Sequence, residues 1–380
     1  MPDPKRSVPL CIPNLDAAEL DAVAEVLKSG WLAHGPLNHE FEHKFREFLN
    51  VPHAVSMNSC TSALFLALVA NGIRGEVILP SFTFVASANA VVTAGATPVF
   101  ADVEYETCNL DPDAAEALIT PAAEALMVVH YAGQVADMAR FAQLAKKHKL
   151  LLIEDSAEAI GAEQHGIKTG GWGTGCFSFF PTKNLTTGEG GMLTTRDAAL
   201  AAKVKALVGH GIESTTLARE KKERPWLRAA TYAGYNFRLS NVLAALGARQ
   251  MDKLEAMNEA RRKHAKRYDE LLDRNLFDLP VERPGFKHVY QMYVVKAKGF
   301  DRTRFLATLK EAGVGASVHF DPPVHTQPFY AEAAYPQGAL EVTERLAASC
   351  VTLPMYPQMT DDDVAYVAAC CNRAARELGR

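Results

Sequence analysis

The chain has 380 residues, of which 48% are hydrophobic and 22% charged, and a formal net charge of −4. That length exceeds the size at which one core stops growing and points to two domains sharing a large interior, while the mild acidity offers no footprint for nucleic acid. No apolar run reaches the roughly 18–20 residues of a membrane span, and the opening MPDPKRSVPL lacks the apolar core of a secretion signal. A cytoplasmic protein with no membrane partner is expected.

In chain order, helix-like stretches alternate with short apolar runs. Asp16 to Ser29 and Thr61 to Ala70 read as helices, and Val77 to Leu79, Pro98 to Ala101, Met127 to His130 and Leu150 to Ile153 read as strands. The segment Ser81 to Gly95 suggests a helix stopped by its glycine before a strand at Thr97 to Ala101. Phe141 to Lys149 is a basic-ended helix leading into Leu150-Leu-Leu-Ile-Glu-Asp155. Such repetition predicts an α/β fold with a mostly parallel sheet covered on both faces. A long amphipathic helix over Asn241 to Leu272 leaves the large domain, and a boundary near residue 250 is expected. Beyond it, strands at Tyr290 to Lys296 and Val314 to Phe320, a helix at Thr303 to Ala312 and a final helix at Thr360 to Leu378 describe a small α+β domain. The division is residues 1–250, with an N-terminal arm, and residues 251–380.

Seven cysteines contain no C-x-x-C pair, and their odd number argues against a disulfide framework. The twelve histidines show no H-E-x-x-H spacing, so no metal is expected.

The chemistry-bearing segment is Phe177-Ser-Phe-Phe-Pro-Thr-Lys183, which sets a lysine between an apolar run and a Gly-rich turn. A lysine desolvated there becomes a nucleophile able to form a Schiff base. Pyridoxal phosphate makes four demands: such a lysine, a carboxylate beside the pyridine nitrogen, a donor-rich cradle for the phosphate, and a flat group against the ring. Asp155 falls where ligands collect in open α/β sheets, beyond the carboxyl end of a strand, although a helix cap is the other reading of that position. Asn58-Ser-Cys-Thr-Ser-Ala63 precedes an apolar helix, so Cys60 and Thr61 would offer backbone N–H groups to an anion; an ordinary N-cap fits the same pattern. Ser178 adds a hydroxyl and Phe84 a ring, each of which would also serve in a plain core. Gly188-Glu-Gly-Gly191 does not match a nicotinamide fingerprint.

Taken together, these segments resemble the DegT/DnrJ/EryC1/StrS group of pyridoxal-phosphate sugar aminotransferases, of transferase fold type I. The resemblance rests on seven ordered motifs: Ser29-Gly-Trp-Leu-Ala-His-Gly-Pro36, Pro80 to Asn89, Ile153 to Gly161, Phe177 to Lys183, Gly234-Tyr-Asn-Phe-Arg-Leu-Ser-Asn241, Val318-His-Phe320 and Leu353-Pro-Met-Tyr-Pro357. It implies a seven-stranded-type sheet in the large domain. It makes Lys183 the Schiff-base lysine and proton shuttle and Asp155 the partner of the pyridine nitrogen. Cys60, Thr61 and Ser178 would hold the phosphate, Phe84 would cover the ring, and Glu158 would lie near the phenolic oxygen. Asn236 would reach the phosphate of a partner subunit, giving a homodimer with shared sites. His34, Arg238, His319 and His325 lie where the family handles its nucleotide sugar.

The expected reaction moves an amino group from glutamate to a nucleotide-linked 4-keto-6-deoxy sugar, for a surface polysaccharide or a natural-product sugar. Amination at sugar carbon 3, or of a non-sugar ketone such as a cyclitol or amino-benzoate precursor, is the enzymatic alternative. A non-catalytic sensor or scaffold is the reading from another class.

Overall fold

Six parallel strands and one antiparallel strand form the central sheet of this computed structural model, which describes residues 6–213, 226 and 228–379. Residues 1–5 of the opening segment therefore lie outside the described residues. The strands are β1 (His53–Met57), β2 (Glu76–Pro80), β3 (Thr97–Ala101), β4 (Ala123–Val129), β5 (Leu151–Asp155), β8 (Thr174–Ser178) and β9 (Gly191–Thr195), in the spatial order β1-β9-β8-β5-β4-β2-β3. Only β9 runs against its neighbours, because the chain turns straight back after β8 in place of a helical crossover. Between β5 and β8 the two-residue strands β6 (Glu163–Gln164) and β7 (Ile167–Lys168) make a separate ladder with β11 (Phe286–Lys287).

Helices Cys60–Ala70 and Val85–Thr93 cover one face and Met138–His148 the other, each face having its own apolar cluster. Met138–His148 shows why the boundaries fall where they do. Asp137 caps its start by accepting from the Arg140 N–H, Lys146, Lys147 and His148 favour the negative end of its dipole, and Lys149 turns left-handed (φ 57°) to release the chain into β5.

The small domain is an antiparallel sheet of β10 (Phe277–Asp278), β12 (Tyr293–Ala297) and β13 (Cys350–Leu353), packed against helices Arg302–Glu311 and Asp361–Leu378. Two expectations are corrected here. The strand read from Tyr290 starts at Tyr293, since Tyr290 itself is left-handed (φ 45°). Val314 to Phe320 is not a strand and makes only isolated bridges, Val8 with Val314 and Ser317 with Thr352. The reason is the N-terminal arm, which runs along this segment so closely that a Cβ on Gly315 would stand 2.6 Å from the Leu10 backbone nitrogen.

The domains are joined in several places: Val324, Tyr330 and Leu340 pack in the large-domain core, and two longer segments span both. Helix Asn241–Leu271 is continuous, with residues up to Met257 in the large-domain core and Ala265 and Tyr268 in the small-domain core. The arm is the second: Val8 packs in the small domain, Leu10 accepts from the Met355 N–H, and Asn14 accepts from Gln250 Nε2 on the long helix. Among the described residues, no helix is long and apolar enough to cross a membrane.

One buried carboxylate organises the turn before β8. Glu154 has no exposed surface and accepts from the N–H groups of Gly170 (2.8 Å), Trp172 (3.0 Å) and Gly173 (2.8 Å). His130 Nδ1 accepts from the Ala136 N–H, so its Nε2 carries the proton that faces Glu154 at 3.2 Å. Replacing Glu154 with alanine orphans one buried and two half-buried N–H groups, at up to about 1–3 kcal/mol each. Glu154→Ala should therefore lose about 3 kcal/mol or more in equilibrium denaturation, and Glu154→Gln should lose less.

Candidate active site

A cavity of about 360 Å³ opens at the carboxyl ends of β4, β5 and β8, roofed by the small domain and the arm residues Leu10 and Cys11. Lys183 enters it from the β8–β9 loop. The loop is pinned by Thr187 N–H and Thr186 Oγ1 on the Phe179 carbonyl, and the residue after the lysine, Asn184, donates to Asn258 Oδ1 (2.6 Å) and to the Val289 carbonyl (3.1 Å). With Leu185 also fully buried, the lysine stands on backbone that packing holds in place.

The Lys183 side chain is 16% exposed, and its Nζ lies 3.1 Å from Glu158 Oε1. The other Glu158 oxygen accepts from the Ala132 N–H at 2.8 Å, so the carboxylate found beside the lysine has two donors. Asp155, at the tip of β5, accepts from Ser87 Oγ (2.7 Å) and the Ala157 N–H (3.2 Å), with the Cys60 thiol 4.0 Å away. Burial drives its carboxyl above the ordinary range; the Ser87 and Ala157 hydrogen bonds and the Lys183 charge oppose this, and Glu158 adds to it.

Cys60 and Thr61 open helix Cys60–Ala70. Ser59 caps the helix by accepting from the Ser62 N–H, which leaves the N–H groups of Cys60 and Thr61 without an intrahelical acceptor. Burial pushes the Cys60 thiol well above its usual value, so it stays neutral and the backbone is what this residue offers an anion. The strand end at Gly191 lies directly against this turn: a Cβ there would come within 2.6 Å of the Cys60 nitrogen.

Ser178, Phe84 and His319 also line the cavity. Phe84 is 61% exposed, a ring at the mouth beside Phe320. His319 Nδ1 meets Thr352 Oγ1 at 2.8 Å, and burial lowers its pKa, keeping the imidazole neutral.

Four expected residues are not brought to this cavity within one chain. His325 is engaged by Ser81, with Nδ1 2.7 Å from its hydroxyl and the His325 N–H donating to the same oxygen, which ties the turn Val324–Thr326 to the end of β2. Asn236 is exposed in a bridge with Gly209, Arg238 Nη2 lies 3.2 Å from His210 Nε2, and His34 packs edge-on against His39. Sequence reasoning missed Ser87, three positions after Phe84 on a helix whose register it did not resolve. It also missed Gln291, whose amide nitrogen donates to the Thr182 carbonyl while its buried carbonyl oxygen has no partner among the described residues.

The donor set fits pyridoxal 5′-phosphate: an amine on rigid backbone, a buried carboxylate opposite it, and a helix start with free N–H groups that glycine leaves room for. The DegT/DnrJ/EryC1/StrS aminotransferase family matches residues 13–372. The chain belongs to that family. It is therefore an aminotransferase, and pyridoxal 5′-phosphate is its cofactor. The spore coat polysaccharide biosynthesis protein SpsC of Bacillus subtilis is 38% identical over 368 residues, 94% of each chain. Among solved structures, Helicobacter pylori PseC, an aminotransferase involved in the biosynthesis of pseudoaminic acid, is similar with a TM-score of 0.89 and 30% identity over 98% of this chain and 100% of that one. DesI in the presence of its TDP-sugar product gives a TM-score of 0.87 and 31% identity, covering 98% and 94%.

Two outcomes are expected. In the cofactor-free aminotransferase, the raised Asp155 pKa contributes stability below the ordinary carboxylate range that is lost as pH rises through the raised value. Asp155→Asn should thus denature later than wild type at pH 7 without cofactor, with the gap closing on acidification, while losing transamination. Gly191→Ala should push the Cys60 turn outward and weaken cofactor binding about tenfold or more, measured by fluorescence titration, given that an uncompensated shift at a charged hydrogen-bond site costs about 1.5–3 kcal/mol.

Proposed function

We propose that this aminotransferase moves the amino group of glutamate onto a nucleotide-linked 4-keto-6-deoxy sugar, as a cytoplasmic homodimer with shared sites, in the making of a surface polysaccharide or a natural-product sugar. The sugar class is supported by SpsC, PseC and DesI, whose names connect them with polysaccharide, pseudoaminic acid and a TDP-sugar.

The observation that carries the reading is the charge inventory of the cavity. Its lining includes the carboxylates of Asp155, Glu158 and Glu189 against one amine, Lys183, and one neutral imidazole, His319. The cofactor phosphate, both carboxylates of glutamate and a sugar diphosphate are all anions. A single copy of the described chain therefore offers too little positive charge for its own ligands. Arg238 and Asn236 stand exposed on the same chain without contributing to its cavity. In a symmetric dimer they would reach the partner's cavity and supply what it lacks.

Bound here, the cofactor supplies an electron sink for the charge left when a substrate carbon gives up its proton. Lys183 would hold the cofactor at rest and, once the substrate amine has displaced it, move a proton at Nζ, taking it from the glutamate carbon in the first half-reaction and giving one to the sugar carbon in the second. Asp155 would keep the ring nitrogen protonated, and the ring's positive charge would in turn offset the cost of burying the carboxylate. The Cys60 and Thr61 N–H groups and the Ser178 hydroxyl would hold the phosphate, Phe84 would close the ring face, and Glu158 would lie beside the phenolic oxygen. His319 would meet the nucleotide sugar from within the chain, and Arg238 and His34, which lie outside this cavity, would do so from a partner chain.

The test is spectroscopic and chemical. Purified enzyme should show a cofactor band that glutamate shifts and a keto-sugar nucleotide restores, with the 4-amino sugar as product. Lys183→Ala should lose the shift and at least about 10³-fold of turnover. Amination at carbon 3 or of a non-sugar ketone in a substrate panel would redirect the assignment, and an unshifted spectrum with glutamate would point to a sensor. Arg238→Ala mixed with Lys183→Ala should regain activity that neither variant has alone, if sites are shared.

A further inference from the structure

Glu158 spends one oxygen on Lys183 and the other on the Ala132 N–H, so whatever aims that N–H also aims the carboxylate. Ala132 is buried and left-handed (φ 57°), a conformation that costs a residue with a Cβ about 1 kcal/mol or more and persists only where its surroundings impose it. The imposing contacts can be named. The Met292 N–H donates to the Ala132 carbonyl (3.2 Å) and the Val289 N–H to that of Gly133 (2.9 Å). Gly133 (φ 98°) has no room for a side chain, since a Cβ would stand 2.7 Å from the Gln291 nitrogen.

One side chain grips both ends of the turn. Asn109 is 2% exposed; its Oδ1 accepts from the Tyr131 N–H (2.8 Å) and its Nδ2 donates to the Gln134 carbonyl (3.3 Å). Only an amide offers one acceptor and one donor so spaced. Asn109 lies in the loop after β3 and is not among the residues lining the cavity.

The geometry points to Asn109 as a positioning residue: it holds the Tyr131–Gln134 turn so that the Ala132 N–H faces Glu158, and through Glu158 it fixes the amine of Lys183. This rests on the reading that Lys183 bonds the cofactor. The Glu158 carboxyl, 3.1 Å from Lys183 Nζ, would then lie beside that nitrogen when the cofactor is held and would favour its protonated form. The other titratable groups facing this point are Asp155 from β5, His319 from the small domain, Cys11 from the arm, Cys60 from the start of its helix and Tyr131 from the turn itself, with Cys108 and Cys350 behind Tyr131.

The experiment is a double-mutant cycle read on the pH midpoint of the bound cofactor's absorbance. Glu158→Gln should lower the midpoint by about one unit or more, because it removes an opposite charge. Asn109→Ala should lower it in the same direction by a smaller amount, and should add nothing in the Glu158→Gln background. Asn109→Asp, which keeps the acceptor and loses the donor, should fall between wild type and Asn109→Ala. An Asn109→Ala protein with an unmoved midpoint, or a shift that adds in full to that of Glu158→Gln, would overturn the proposal. Should Asn109→Ala fail to fold, Asn109→Asp and Asn109→Ser carry the same cycle. A Lys183→Ala protein that keeps the pH-dependent band would sink the underlying reading instead, independently of Asn109.

Discussion

A buried carboxylate without a cation bonded to it is the constraint around which this molecule is arranged. Asp155 ends β5 inside the protein with one hydroxyl and one backbone N–H to satisfy it, and burial makes its charged form costly. That cost is tolerable only if a positively charged partner arrives. The elements that meet at Asp155 make sense in that light: helix Val85–Thr93 contributes Ser87, helix Cys60–Ala70 brings its N-terminus and a neutral thiol, and the β8–β9 loop brings Lys183. Three different connections, two helical crossovers and one reversal, converge because the parallel strands that precede them all end at one edge of the sheet.

The second acid, Glu158, differs in kind. Before any ligand binds, a lysine and a backbone donor already occupy both its oxygens. Two carboxylates three residues apart thus have opposite electrostatic situations, one awaiting a partner and one already holding it. Under the proposed function the contrast would divide the labour of the site: Asp155 would favour taking up a cationic ring, and Glu158 would keep the amine oriented until it does.

What could be read from the sequence follows from the distance over which each signal acts. Lys183, Asp155, Cys60, Thr61, Phe84, Glu158 and Ser178 all come together around the cavity, because each sits where a strand ends or a helix begins and local pattern sets its direction. Strand β3 and the stop at Gly95 were legible for the same reason. Val314 to Phe320 misled because its alternation matched a strand, whereas Gly315 within it and Gly313 just before it make room for an arm arriving from more than 300 residues away. His325 was assigned to the substrate end on motif alone, and a hydroxyl at Ser81 occupies it. Ser87, Gln291 and Asn109 carry no local signature: a buried serine, glutamine or asparagine is recognised only by what it meets across the fold.

The long helix has a mechanical consequence. With 31 residues it extends about 45 Å, and it enters both cores without a break. A hinge needs a short, soft connection, and bending this one would open its backbone ladder; the arm adds a second tether on the cavity's own side. The gap between the domains is thus a fixed calliper, set when the chain folds. Discrimination among sugars by size would come from the spacing of the cavity walls rather than from closure of one domain on the other.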